Sequence, residues 1–232
     1  MKDRITIEGR DGAFGAYIAR PKALPTPAVV VLQELFGVNA DIRKTCDELA
    51  AQGFIAVAPD LFWRQEPGVD LSVTSEPDWQ HGLRLYQAYD RDVGAKDVND
   101  TVNAVAKLPG CTGKVAVLGY CLGGLLVYLT AVRYGVDAGV AYHGGDTEKY
   151  LGEVDGLHAP LLMHLAEEDE FISKRLPKLR SKQHLPANQT RRSIAIRGSV
   201  TPSLATMGHT YNAAVAALAN GRTSEFLHQH LR

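Results

Sequence analysis

Residues 114–135 read KVAVLGYCLGGLLVYLTAVRYG. The run 114–119 is short and, after Lys114, continuously apolar, as expected of a strand buried on both faces. Residues 123–135 have helical spacing and stop at Gly135, a helix end. Between them lie only Tyr120, Cys121 and Leu122. The chain therefore turns sharply from strand into helix with a cysteine at the tip. Cys121 is either a small core residue at a tight corner or a nucleophile held up for attack.

Reading outward gives more of the same alternation. Residues 4–9 and 13–20 alternate apolar and polar across an Asp-Gly turn, the pattern of a hairpin. AVVVLQ (28–33) and FIAVAPD (54–60) are buried strands flanking a helix over 41–53, whose apolar face is Ile42, Cys46 and Leu49. From SEPDW to Leu108 the pattern predicts one or two helices, the second starting near Gly94. AGVAYHG (138–144), APLLMHLA (159–166) and RSIAIRG (192–198) continue the strands. A C-terminal helix follows, with a break expected at Gly221. Strands alternating with helices predict an α/β fold. Its central sheet is mostly parallel, of about eight strands, with helices on both faces and a single domain over 1–232.

With a formal net charge of -1 and no long basic run, neither nucleic acid nor an anionic membrane is an expected partner. No apolar stretch approaches a membrane span, and MKDRITIEGRDG lacks the apolar core of a signal peptide. The three cysteines have unrelated spacings and no CxxC. They predict no disulfide framework, no metal site and a reducing, cytoplasmic setting. Cys46 reads as core and Cys111 as a loop residue before a strand.

In such sheets ligands bind beyond the carboxyl ends of the strands. Gly119-x-Cys121-x-Gly123 stands at such an end. It has the form of a nucleophile elbow with cysteine in place of serine. The following helix points its positive end at the sulfur and favours thiolate. The backbone N–H of Leu122 then faces the place where an oxyanion would form.

A thiol nucleophile needs a base, and the base an orienting acid, in the chain order nucleophile, acid, histidine. His209, after the last strand and before the last helix, stands where the base belongs. His143 and His164 lie in apolar runs, and His228 and His230 in a tail expected to be solvated. The acid should follow APLLMHLA, where Glu167, Glu168, Asp169 and Glu170 are consecutive. Asp169 is the best placed, because Phe171 and Ile172 would anchor its loop; spacing alone leaves Glu168 open. Glu34 ends the strand 28–33, where a charge is costly unless partnered. It either turns to water or stands beside the thiol. The residue after it, Leu35, would supply a second oxyanion N–H.

QELFGVNADIRKTCDELAAQGFIAVAPDLFWRQEPG (33–68), GKVAVLGYCLGG (113–124), EDEFIS (168–173), GHTY (208–211) and AALANGRTSEFL (216–227) together resemble the dienelactone hydrolase (carboxymethylenebutenolidase) family of α/β-hydrolases. The resemblance implies the triad Cys121, Asp169 and His209, and a Glu34 that acts on the thiol. It implies a small ester or lactone as substrate, no metal or organic cofactor, and a monomer, with a weak dimer as the alternative. Two features depart from the family, which holds its substrate's carboxylate with two arginines and a tyrosine. Aligned on RLYQAYD, two of those positions hold Trp79 and Leu83, and GHTYNAAVAALAN contains no arginine. Trp79, Leu83, Phe36 and Tyr86 therefore suggest a more apolar pocket and a substrate other than dienelactone. The alternatives are a broad carboxylesterase or thioesterase for apolar acyl groups, and a ligand-binding protein without turnover.

Overall fold

A computed structural model describes residues 3–166, 191–196 and 213–232. Among them, eight strands form one sheet: β1 (Arg4–Gly9), β2 (Gly12–Ala19), β3 (Thr26–Leu32), β4 (Ile55–Pro59), β5 (Cys111–Tyr120), β6 (Ala138–Tyr142), β7 (Leu161–Ala166) and β8 (Arg191–Ile196). The spatial order is β1-β2-β4-β3-β5-β6-β7-β8. The β1–β2 and β2–β4 pairs are antiparallel, and every later pair is parallel. The expected fold class is therefore the observed one.

The central strands separate two apolar layers by their alternation. Val30, Leu32, Val115 and Val117 face the layer formed with α3 (Arg91–Ala106) and α4 (Leu122–Arg133). Val29, Val31, Ala116 and Leu118 face α1 (Ala40–Ala51) and α5 (Ala213–Leu231). Burial on both faces explains why these strands read as continuous apolar runs. In α4 every residue from Leu122 to Val132 is buried, as a helix apolar all round must be.

The sequence places several boundaries differently from the structure. The helix expected near Gly94 begins at Arg91, because the Asp90 carboxylate accepts the N–H groups of Asp92 and Val93 at 2.9 and 3.0 Å. Gly94 is instead a contact inside the helix, where a Cβ would stand 2.3 Å from the Tyr89 hydroxyl. Together with α2 (Glu76–Ala88), α3 makes two helices of the segment. The expected break at Gly221 is absent: α5 runs through it. Cys111 opens β5 rather than lying in a loop. A 3-10 helix, Thr147–Gly156, had no signal in the sequence.

Candidate active site

Cys121 sits between the last residue of β5 and the first of α4, with φ 51° and ψ −110°. A positive φ is costly for a residue with a Cβ and persists only where the surroundings hold it. Three backbone bonds hold it here. The Cys121 N–H donates to the Tyr142 carbonyl at 2.9 Å, and its own carbonyl accepts from Leu125 at 3.1 Å. The Gly123 N–H donates to the Gln33 carbonyl at 3.1 Å. The flanking glycines answer to close packing. A Cβ on Gly119, Gly123 or Gly124 would stand 2.4, 2.6 or 2.6 Å from the Gly123 backbone, the Leu32 carbonyl and the Tyr142 carbonyl respectively. The GYCLGG pattern is thus the record of three backbones meeting at one corner.

Cys121 is half-buried, Cys46 is fully buried on α1, and none of the three cysteines is in a disulfide among the described residues. Burial, with Asp47 adding to it, raises the Cys46 thiol well above its ordinary range and keeps it protonated. Leu122 is the first residue of α4, so its N–H has no intrahelical acceptor.

The sheet register brings Glu34 to the same corner. Leu32 pairs with Gly119 across β3 and β5, so the chain two residues further on from each is Glu34 and Cys121. Glu34 is half-buried and acts electrostatically on the Tyr120 phenol, which burial and then Tyr142 raise well above its ordinary pKa. The loop carrying Glu34 and Leu35 is pinned at Gln33. That side chain is fully buried, and its Oε1 accepts the Leu61 N–H at 3.2 Å. Leu35 and Phe36 are buried at 3% and 1% exposure. Phe36 is therefore enclosed, while Trp79, Leu83 and Tyr86 on α2 are half-buried. Asp169 and His209 lie outside the described residues, as do 183–190 and 197–208 of the stretch 183–208, whose path the sequence leaves open.

A buried polar group beneath the corner was not recognised from the sequence. The Tyr142 ring stacks between Tyr120 and His164, at 4.8 and 4.4 Å between centroids. Its hydroxyl meets Thr223 Oγ1 at 2.6 Å and donates to Asn220 Oδ1 at 3.3 Å. His164 Nε2 meets the same Thr223 oxygen at 3.0 Å. Burial, then the neighbouring His143 and Arg222, depresses His164 to about 3, so the imidazole is neutral. His143 is also buried, at a φ of 48°, and its N–H donates to the His164 carbonyl at 3.0 Å. Both histidines are thus built into the strand ends. His228 and His230, expected in solvent, instead pack on Phe54 and Phe226 at 4.8 and 4.5 Å.

A strained residue between a parallel strand and a buried helix, at the carboxyl edge of this sheet, defines the α/β-hydrolase class. Comparison with known proteins narrows it. The dienelactone hydrolase family model matches residues 14–231. A carboxymethylenebutenolidase of Pseudomonas putida is 36% identical, covering 98% of this chain and 96% of its own. Carboxymethylenebutenolidase 1 of Cupriavidus pinatubonensis is 31% identical, covering 98% and 97%. A dienelactone hydrolase-like promiscuous phosphotriesterase from metagenomic libraries has the same fold, with a TM-score of 0.75 and 21% identity over 99% and 98% of the two chains. The chain belongs to the dienelactone hydrolase family and is a hydrolase. No helix among the described residues is long and apolar enough to cross a membrane.

Proposed function

We propose that the protein opens a small ester or lactone by acyl transfer to Cys121. The observation that carries the reading is the forced positive φ of Cys121 at the head of α4, a strain that packing alone does not require of a cysteine. The thiolate attacks the carbonyl carbon, and the displaced electron pair collects on the carbonyl oxygen, facing the N–H groups of Leu35 and Leu122. As the pair returns, the carbon–oxygen bond to the leaving group breaks, and His209, holding the proton that left the thiol, gives it to that oxygen. Water then attacks the thioester as His209 takes its proton, releasing the acid and the thiol. Asp169 orients the imidazole through this cycle. At rest, Glu34 and Cys121 share one proton, because two anions side by side at a half-buried corner are costly. Neither a metal nor an organic cofactor enters the scheme.

The substrate in this reading is not dienelactone. Trp79 and Leu83 occupy positions where the family's carboxylate-holding arginine and tyrosine are expected, and 208–220 contains no arginine. A neutral or longer acyl group suits the half-buried apolar side chains of α2 better, so broad carboxylesterase or thioesterase action is the companion reading. A panel of neutral and anionic esters, with an anionic lactone, tests both parts. Turnover of neutral esters that vanishes in Cys121→Ala supports the mechanism. Preference for the anionic lactone would overturn the substrate assignment, and undiminished turnover by Cys121→Ala would overturn the mechanism.

A further inference from the structure

Helix α2 touches the site with its backbone. Gly82 stands against Leu35: a Cβ there would lie 2.4 Å from the Leu35 carbonyl oxygen and 2.5 Å from Leu35 Cδ1. Only glycine lets the helix approach so closely. The helix is thereby fixed on the loop whose N–H faces the carbonyl oxygen in the scheme above. Tyr86 is one turn further along the same face. Its half-buried ring packs on the core layer that contains Leu122, and its phenol feels the charge of Cys121. The phenol is therefore within electrostatic reach of the sulfur, on the helix that rests on the loop carrying Leu35.

The ring is also braced from outside. The Arg91 guanidinium lies 4.7 Å from the Tyr86 centroid, a cation–π distance. Its Nη1 donates to the Tyr89 carbonyl at 2.6 Å, which locks the side chain at the junction of α2 and α3. The Arg91 charge also acts on the phenol and opposes part of the effect of burial. A guanidinium only donates, so the phenol's own proton remains to be donated elsewhere. Asp146 and Lys149 are the other charges acting on Tyr86, and they pair with each other at 2.8 Å. Burial holds the phenol above its ordinary pKa, so it stays a neutral donor throughout the working range.

We propose that Tyr86 is a catalytic residue of this chain: its O–H donates to the acyl oxygen while the tetrahedral intermediate stands on Cys121, and Arg91 is the positioning residue that aims it. The proposal rests on the cysteine mechanism above. No proton changes hands at Tyr86; the sulfur–carbon bond forms, the carbonyl pair moves to oxygen, and the phenol adds a hydrogen bond to those of Leu35 and Leu122. Removing a donor that acts only on the developing charge lowers kcat without changing KM.

The test compares wild type, Tyr86→Phe and Arg91→Ala in two reactions. One is turnover of p-nitrophenyl acetate, a neutral ester. The other is alkylation of Cys121 by iodoacetamide, followed on its tryptic peptide across pH. Alkylation displaces iodide at a saturated carbon and builds no oxyanion. Tyr86→Phe should lower kcat roughly 10- to 100-fold, leave KM within about twofold, and leave the alkylation rate and its pH profile unchanged. Arg91→Ala should show the same pattern more weakly. The proposal is overturned if KM rises with kcat kept, if alkylation slows in step with turnover, or if Tyr86→Phe matches wild type. A loss in Arg91→Ala confined to an anionic ester would make Arg91 a reader of substrate charge and overturn its positioning role. Wild-type protein already alkylated at Cys121 provides the separate control: continued turnover there refutes the cysteine mechanism, and the role of Tyr86 falls with it.

Discussion

The Gly123 N–H donates to the Gln33 carbonyl at 3.1 Å, so the first turn of the helix after the cysteine is bonded to the loop after β3. One backbone contact joins the two segments from which the expected oxyanion donors come. The bond couples the two loops, and in the proposed mechanism it helps hold the spacing of Leu35 and Leu122.

Gly123→Ala tests that junction. The added Cβ would meet the Leu32 carbonyl at 2.6 Å and the Leu32 Cβ at 2.7 Å, both on a central strand that cannot yield. We expect a loss of about 1–3 kcal/mol in denaturant unfolding and a larger loss of esterase activity than the stability change explains. Gly145→Ala is the control, since nothing stands within 4 Å of a Cβ there; it should leave the activity of the wild type.

His164 makes stability depend on pH. Its pKa is about 3 in the fold, depressed first by burial, against about 6.5 in the unfolded chain. The unfolded state therefore binds a proton that the fold refuses. The stabilisation is complete above about 6.5 and is lost as pH falls from there towards 3. It amounts to a few kcal/mol at most. Urea midpoints measured from pH 7 to pH 4 should fall, and His164→Gln should flatten the lower part of that slope.

Asp97 is a buried carboxylate paired with the Arg64 guanidinium. Its carboxylate accepts from Trp63 Nε1 at 3.0 Å and pairs with Arg64, while only 5% of its side chain is exposed. Removing it leaves Arg64 without that partner and the indole N–H without an acceptor. Asp97→Ala should cost about 3 kcal/mol in thermal or denaturant unfolding. Lys44→Ala, which breaks an exposed pair with Glu48 at 3.8 Å, should cost less than about 0.5 kcal/mol.

The sheet was legible because its central strands are buried on both faces and leave no polar residue to interrupt the apolar runs at 28–33, 54–60 and 114–119. The elbow was legible because its glycines fall within six residues of chain, although the backbones that demand two of them, at Leu32 and Tyr142, come from other strands. Helix starts were less so: Asp90 caps α3 through two short bonds, while Gly94 drew attention for a contact with Tyr89 that only the fold reveals. The stack of Tyr120, Tyr142 and His164 with Thr223 was not legible at all. It draws on β5, β6, β7 and α5, and no spacing rule connects four elements. His228 and His230 misled because a polar helix end was read as solvated, whereas imidazole rings pack well on Phe54 and Phe226. The positions of Asp169 and His209 rest on chain order and family resemblance.

The central claim is that Cys121 carries the acyl group. Its most direct test is mass spectrometry of protein quenched during turnover of p-nitrophenyl acetate, wild type beside Cys121→Ser and Cys121→Ala. An acetyl group on the peptide containing Cys121, formed and lost at the rate of turnover and absent from the alanine variant, is the predicted result. Turnover with no acetyl group at Cys121, or with the same activity in Cys121→Ala, would contradict the account.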